Sequence, residues 1–491
     1  MISNIPKRSL MAITNYIELR QDIDKLIVSF EVKKAQSLLK AMDIKSIPKK
    51  MRADFAALAR RAGSYRLALR ILNSNVYGAD EASAEDTIEY ASSLRRLGLI
   101  NQALNLLKRV EHYPTSFLHQ AFCHMHLWDY KSSQDCFIEF LSRDETKPYD
   151  QLIAKVNLIS CFVENSEYQK AELLLQKVKM ECIETSPHLL LNCLETEGQM
   201  LIRQGKMSQA IEVLQNAYDA CHGEDVETTL FIEKWLLVAK CASGHIEEID
   251  PRIGEFKKRI RSFGHWETLR DFEWQIAKIF NNRSLLNYVY FGTPFASFRS
   301  YILNHLGVER LPGSFIWMDG RSQDSIDINI DLHKVEDVPL PFGMGVHRLW
   351  MLLASDFYRP WSIGRIFNSL FPDELYDPST SPKKVYRLIE KLQEAIEKND
   401  IKIEMRTTPH GYRLRPKPGC IFYVHETMEF ASQEHFLLYL LKKNGFSNQI
   451  SVKELQEVIP LSQHQWYRAL KKMEEADLIK KDEHSHYSLA S

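Results

Sequence analysis

The chain has 491 residues, of which 45% are apolar and 26% charged, with a formal net charge of −1. That length fits two to four domains. The composition is that of ordinary globular protein, and the near-zero charge excludes a chain-wide polycation, so any footprint on a polyanion has to be local.

Eight cysteines are scattered, seven of them before residue 245, with no Cys-x-x-Cys pair. They are expected to be reduced, buried thiols of a cytoplasmic protein. The opening MISNIPKRSLMAITNYIELR lacks the apolar core of a signal peptide. No apolar run approaches the ~18 residues of a membrane span, so no membrane partner is expected.

From about residue 15 to 260 a helical pattern repeats. FEVKKAQSLLKAM around Ala35, AGSYRLALRIL around Ala68 and LGLINQALNLLKRV around Ala103 are the first copies. WDYKSSQDCFIEF around Ser133, NSEYQKAELLLQKV around Ala171 and QGKMSQAIEVLQNAY around Ala210 follow, with a weaker copy near Ile249. The small residues of the six main copies are 30–39 positions apart, the period of a helix-pair repeat. A small residue is needed where two helices cross closely, and the Gly or Ser before it supports the turn. These segments resemble tetratricopeptide repeats, with Gly205–Ala217 the best match. The resemblance implies a stacked solenoid over residues 1–265 whose groove takes a peptide or protein partner. The alternative is that the array only spaces or dimerises the other domains, and a homodimer is one expected form.

Residues 266–310 read as a helical joint, rich in Phe, Trp and Tyr at helical spacing. That stripe is expected to be core, with a ligand pocket as the alternative. Asp319-Gly320 reads as a hairpin turn. Ile326, Ile328, Ile330 and Leu332 then alternate with Asp327, Asn329 and Asp331. The acidic face is read as the wet side of an edge strand, against the alternative of a hard-cation site.

Residues 311–416 carry the first chemistry-bearing pattern. GMGVHRLWMLLASDF and SIGRIFNSLF are two helices, and FPDELYDPSTS is a loop. SPKKVYRLIEKLQEAI is a third helix whose Val385, Leu388, Ile389, Leu392 and Ile396 form one stripe. Ser381 is a candidate cap and Pro382 suits the first turn. Lys383, Lys384, Arg387 and Lys391 fall on the other side. IKIEMRTTPHGYRL then reads as a hairpin turning near Pro409-His410-Gly411. A basic helix followed by a basic hairpin is the layout of a winged helix, with the helix in the major groove and the hairpin on the phosphates. About Ile326 to Leu414 resembles the DNA-binding domain of two-component response regulators, down to the Gly411-Tyr412-Arg413-Leu414 ending. No receiver domain precedes it. Lys383, Lys384, Arg387 and Lys391 are the expected readers of duplex DNA, and Arg406, His410 and Arg413 the backbone contacts.

Residues 417–491 repeat the scheme. A strand, an apolar helix ended by Gly445, a helix capped by Ser451, a helix starting at Ser462 and a closing strand make a second three-helix unit. Trp466, Leu470, Met473 and Leu478 are expected inward. Gln463, His464, Gln465, Tyr467, Arg468, Lys471 and Lys472 are expected outward, where amides and Arg suit base edges. The Ser462-x-x-x-Trp466-x-x-Ala469-Leu470-Lys471-Lys472-Met473 run resembles MarR-like winged-helix regulators, with Trp466 in place of Val and Asp477 in place of a common Gly. Gln463, Gln465, Tyr467, Arg468 and Lys471 are its expected DNA readers.

No phosphate-binding glycine loop or nucleophile elbow appears. His124 and His126 are two apart on a helix and point away from each other. His484 and His486 read as a partly exposed strand face. No enzyme, cofactor or metal is expected. The expected fold is mainly α, a tetratricopeptide-like α-solenoid followed by two small α+β winged-helix domains. The expected function is that of a bacterial DNA-binding transcriptional regulator. An interaction scaffold whose winged helices dock protein is the alternative.

Overall fold

A computed structural model describes residues 16–29, 31–78, 82–144, 146–221, 226–244, 246–311, 315–318, 326–329, 334–335, 338–339, 345–418, 420–424, 430, 432–443, 449–459, 461–483 and 486–490. The chain divides into two compact units, 1–239 and 240–491. Among the described residues no helix is long and apolar enough to cross a membrane.

The first unit is a row of helical hairpins. They are α1 (Tyr16–Val28) with α2 (Val32–Ala41), α3 (Arg52–Arg61) with α4 (Tyr65–Val76), and α5 (Ala84–Leu97) with α6 (Ile100–Lys108). Next come α7 (Thr115–His126) with α8 (Tyr130–Leu141), α9 (Pro148–Glu164) with α10 (Tyr168–Thr185), and α11 (Pro187–Arg203) with α12 (Met207–Ala220). Helix α13 (Val226–Ala242) crosses the division between the units. Leading helices pack on leading helices of the next hairpin, as in α1 on α3 and α9 on α11, so each hairpin buries its apolar face on its neighbours.

One local device builds five of the turns. A residue with positive φ stands five positions before the small residue of the trailing helix. The pairs are Gly63 and Ala68, Gly98 and Ala103, Trp128 and Ser133, Ser166 and Ala171, and Gly205 and Ala210. The residue after the positive φ sends its N–H back to a carbonyl of the preceding helix, as Leu99 does to Leu94 and Lys206 to Leu201. This is the Schellman closure, which satisfies carbonyls left over at a helix end. All six small residues, including Ala35, have no exposed surface. The predicted repeat period therefore reports true helix crossings. The weak copy at Ile249 falls in a helix, but its side chain lies outside the described residues.

The leading helices carry polar groups along one face. Arg60 makes a two-pronged pair with Glu89, at 2.6 and 3.0 Å. Ser92 Oγ lies 2.8 Å from His119 Nδ1, and Arg95 Nη1 lies 2.8 Å from His126 Nε2. Burial pushes the His119 imidazole down to about 3, with Arg95 and Arg60 adding to the shift.

In the second unit, α14 (Ile246–Phe263), α15 (Trp266–Ile279), α16 (Arg283–Phe291) and α17 (Ala296–Leu306) come first. The same turn device recurs at Gly264 and Asn281. Helix α15 is buried all round from Thr268 to Ala277, and the aromatic stripe is core, with Phe272, Trp274, Tyr290, Phe291 and Phe298 buried. Strands β1 (Phe315–Met318) and β2 (Ile326–Asn329) follow, then β3 (Lys334–Val335) and β4 (Val338–Pro339). The Asp319-Gly320 turn, Asp331 and the rest of the alternating run after Asn329 lie outside the described residues. So does Gly445.

Two helix-and-ribbon modules complete the unit. The first is α18 (Gly345–Ala354), α19 (Ile363–Leu370), α20 (Ser381–Lys398) and the ribbon β5 (Ile403–Thr408) with β6 (Gly411–Pro416). The second is α21 (Gln433–Lys443), α22 (Val452–Val458), α23 (Gln463–Glu475) and the ribbon β8 (Ile479–Lys481) with β9 (Tyr487–Leu489). Strand β7 (Cys420–Val424), read from sequence as opening the second module, instead sits between β1 and β2 in a three-stranded sheet. A strand edge left unpaired seeks a partner wherever the chain returns, and the return after β6 brings residue 420 back to β1 and β2.

The joint is held to the first module by buried charge. Arg270 Nη2 and Arg365 Nη2 each lie 2.9 Å from one oxygen of Asp356. Arg270 also donates to Gly292 O, Thr293 Oγ1 and Glu267. Tyr358 Oη donates to Glu273 at 2.7 Å, and Lys257 pairs with Glu273. Burial alone would raise the Asp356 carboxyl, but Arg270 and Arg365 outweigh it and hold it below the usual carboxylate value. Removing one partner of such a set leaves an uncompensated buried charge, at a cost of about 3–5 kcal/mol. Arg270→Ala is therefore expected to lower the unfolding free energy of the second unit by that order, read as a lower urea midpoint, and an unchanged midpoint would refute the clamp.

His119 gives a pH prediction for the first unit. The unfolded chain takes a proton near the ordinary imidazole value of 6.5, while the folded chain refuses it until about 3. The unfolded state binds more protons across that window, so stability is lost as pH falls through it. Urea melts from pH 7 to pH 4 should show this loss, and His119→Gln should flatten it.

Candidate nucleic-acid interface

The first module displays the expected basic face. Val385, Ile389, Leu392 and Ile396 are buried against α18 and α19, with Leu388 half-buried. That packing turns Lys383, Lys384, Arg387 and Lys391 to solvent. Glu390, Glu394, Glu397 and Lys398 are also exposed, so only the first two turns, with Lys383, Lys384 and Arg387, carry positive charge alone, and Lys391 lies among glutamates. The helix starts differently from expectation. Ser381 is buried in the first turn and accepts from Asp377 N–H at 2.9 Å, while Asp377 Oδ1 accepts from Ser379 and Thr380. Pro382 sits in the first turn as predicted.

Lys384 is not a bare cation. Its ammonium pairs with Glu374 and stands 5.8 Å from the Phe371 ring centre. Lys383, Arg387 and Lys391 remain exposed along the helix.

The ribbon is positioned by its glycine. Gly411 has φ +138°, and a Cβ there would meet Trp361 O at 2.3 Å. The close approach lets Tyr412 and Trp361 exchange two backbone hydrogen bonds, at 2.7 and 3.0 Å. The ribbon is thereby fixed to the chain just before α19. Its three candidate contacts have different fates. Arg406 is exposed but donates to Glu404 at 2.6 Å. His410 is exposed at the tip and packs edge-on against Trp266, ring centres 6.0 Å apart. Arg413 turns inward and donates to Phe357 O at 2.8 Å, with its Nε buried. Arg413 is thus half-buried, and the bond to Phe357 O competes with the backbone-contact role expected of it.

The second module places Trp466, Leu470 and Met473 in its core, and Trp466 Nε1 donates to Ile459 O at 3.2 Å. Leu478 is half-buried. Gln463, His464, Tyr467, Arg468, Lys471 and Lys472 are exposed. Gln465 is half-buried and engaged locally. Its amide oxygen accepts from Ser462 N and Oγ, at 2.9 and 2.8 Å, while Ser462 Oγ accepts from Gln465 N. This is a capping box, so the side chain is committed to the helix start. Ser451 and Glu454 make the same device on α22. Asp477 has φ +53°, a left-handed backbone that Asp tolerates better than most residues. Lys471 lies 3.8 Å from Glu475, and Lys472 lies 3.4 Å from Glu434. In the second ribbon His484 lies outside the described residues, and His486 Nδ1 is 3.8 Å from Asp482.

Between the modules lies a cleft of about 420 Å³. Phe371, Leu388 and Leu437 line it, with Glu374, Arg468 and Lys472 at polar positions. Arg348 crosses beneath, donating to Ser369 O, Leu370 O and Gln433 Oε1. It satisfies the last carbonyls of α19 and ties α18 to α21. Sequence reading missed Arg348, because an arginine in an apolar helix announces a buried role without its partners. Among the described residues no cluster of three or more His, Cys, Asp or Glu is placed to hold a metal.

No family model matches the sequence, and neither does any curated protein. Among solved structures the chain is similar to one titled "Crystal Structure of Rap Protein Complexed with Competence and Sporulation Factor". The TM-score is 0.41 at 12% identity, covering 59% of this chain and 92% of that one.

Proposed function

We propose that the chain is a duplex-DNA-binding regulator whose helical-repeat unit docks a peptide or protein partner. The observation that carries the DNA reading is the outward row of Lys383, Arg387 and Lys391 on α20, beside a ribbon fixed by Gly411. Three helices with a two-stranded ribbon, the third helix basic and exposed, have the layout of a winged helix. Exposed cations spaced along such a helix suit phosphates and guanine edges. In the second module Gln463, Tyr467 and Arg468 are the contact candidates, with Lys471 beside its Glu475 partner. The partner reading is supported by the row of helical hairpins, an architecture that offers an extended surface.

A second reading is that the modules dock protein. It is favoured by the pairing of Lys384, Arg406 and Lys472 with glutamates. Paired cations have less charge to give a polyanion, and the cleft between the modules offers mixed apolar and polar lining.

Lys383→Ala, Arg387→Ala and Lys391→Ala together separate the two readings. The triple variant is expected to reduce the slope of log K against log salt by up to about 0.9 per lost phosphate contact, with duplexes of any sequence weakened alike. Gel shifts at two salt concentrations measure this, and unaltered duplex binding by the triple variant would reject the DNA reading of α20. Gln465→Ala should cost about 0.5–2 kcal/mol of stability as a lost cap. It should leave base preference unchanged, and a changed preference would restore Gln465 as a reader.

A further inference from the structure

The cleft between the two modules of the second unit carries more positive charge than its own acids cancel. Its volume is about 420 Å³, and its walls are apolar, with Phe371 and Leu388 from the first module and Leu437 and Leu461 from the second. Arg348 of α18 also lines it and is buried. Its Nη1 donates to Leu370 O and Gln433 Oε1, at 3.2 and 3.4 Å, and its Nη2 to Ser369 O at 3.0 Å. All three acceptors are neutral. Among the described residues no carboxylate lies within ion-pair distance of Arg348. Glu434 and Asp373 act on it only from farther off, and burial pulls its pKa below the ordinary guanidinium value. The other charges of the lining can be matched one by one. Glu374 is held by Lys384, and Glu434 by Lys472 at 3.4 Å. Asp373 is then left against two guanidiniums, Arg348 and Arg468. Arg468, on α23, is exposed, and among the described residues it makes no hydrogen bond or ion pair.

One positive charge is thus left over in a cleft with apolar walls. A buried cation without a counter-charge is costly to keep, so the cleft favours an anion. We propose that it binds a small amphipathic monoanion, a carboxylate on an apolar chain or ring, with Arg468 gripping the carboxylate. The site needs neither the DNA reading nor the protein reading of the modules. Its volume falls in the range of small-molecule pockets and suits an apolar body of about ten carbons. The free fork of Arg468 can meet two carboxylate oxygens at once. Arg348, fixed by its carbonyl acceptors, supplies positive potential from within the wall, where a lower dielectric strengthens it. Charge and surface together decide the class. An amphipathic cation would meet the surplus positive charge, and a dianion would be left half-neutralised. An inorganic anion would leave the apolar walls in water.

The test is isothermal titration calorimetry of the full chain with octanoate and with naphthoate, beside octanamide and naphthamide, which keep the shape and lose the charge. At least one acid should bind saturably, about tenfold or more tighter than its amide, the worth of a charge-assisted hydrogen bond. This comparison needs no variant. Arg468→Gln should cut the affinity of that acid about tenfold and leave that of its amide unchanged, and Arg468→Lys should cut it less. The Arg468 side chain is exposed, so its exchange leaves the core of the module intact. Three results would each overturn the site. They are no saturable binding of either acid, an amide that binds as tightly as its acid, and an acid whose affinity is the same in Arg468→Gln.

Discussion

Asp356 is the constraint on which the second unit depends. Its carboxylate is fully buried and receives a guanidinium on each oxygen, Arg270 from α15 and Arg365 from α19. The backbone N–H groups of Tyr358 and Arg359 complete its shell through Oδ1. Buried charges are tolerated only where every member is matched, so this set fixes three chain segments at once. Around it the aromatics close in. Arg365 lies 4.0 Å from the Trp361 ring centre and Arg270 4.7 Å from that of Tyr358. Gly292 lets the Phe357 ring pass where a Cβ would sit at 2.3 Å, and its carbonyl accepts from Phe357 N. The same loop reaches the ribbon through Trp361 and Tyr412. Burial of one acid therefore propagates to the placement of β6, and from there to the exposed row on α20.

The first unit is organised by the opposite principle, a local one used repeatedly. Five of the hairpins use a left-handed residue to reverse the chain and a small residue five positions on to admit its neighbour. Gly63, Gly98 and Gly205 supply the first at little steric cost. Trp128 and Ser166 do it without that freedom, so packing of the hairpin holds them there. Because each interface repeats the one before, a polar pair can also repeat. Arg60 with Glu89 and Arg95 with His126 each link one leading helix to the next.

What could be read from the sequence follows from this contrast. Ala68, Ala103 and Ala210 announced the hairpins, because a small residue at a fixed offset from glycine is a local signal. The stripes of α20 and α23 were legible through helical spacing for the same reason. Arg270 and Asp356 are 86 positions apart and share no local pattern, so their pairing was out of reach. The pairing of β7 with β1 and β2 joins residues about a hundred positions apart and was equally hidden. Gln465 is a different case. Ser462 followed three residues later by Gln is a capping signature, and its local signal competed with a reading of the same amide as a base contact. Arg413 shows that a strand's alternation gives a face but not which face is inside.

The near-zero net charge takes on a meaning once positions are known. Along the solvent side of unit 2, Lys384, Arg406 and Lys472 each hold a glutamate, whereas Lys383 and Arg387 stand in the part of α20 that precedes its exposed glutamates and Lys391 lies between Glu390 and Glu394. Exposed pairs contribute little to stability, so their effect is chiefly to confine the positive field. The field of the unpaired cations at the start of α20 is screened within about one Debye length at physiological salt. The same logic acts in unit 1 on a smaller scale. Glu89 cancels Arg60 and leaves Arg95 as a single uncancelled charge beside an aromatic wall.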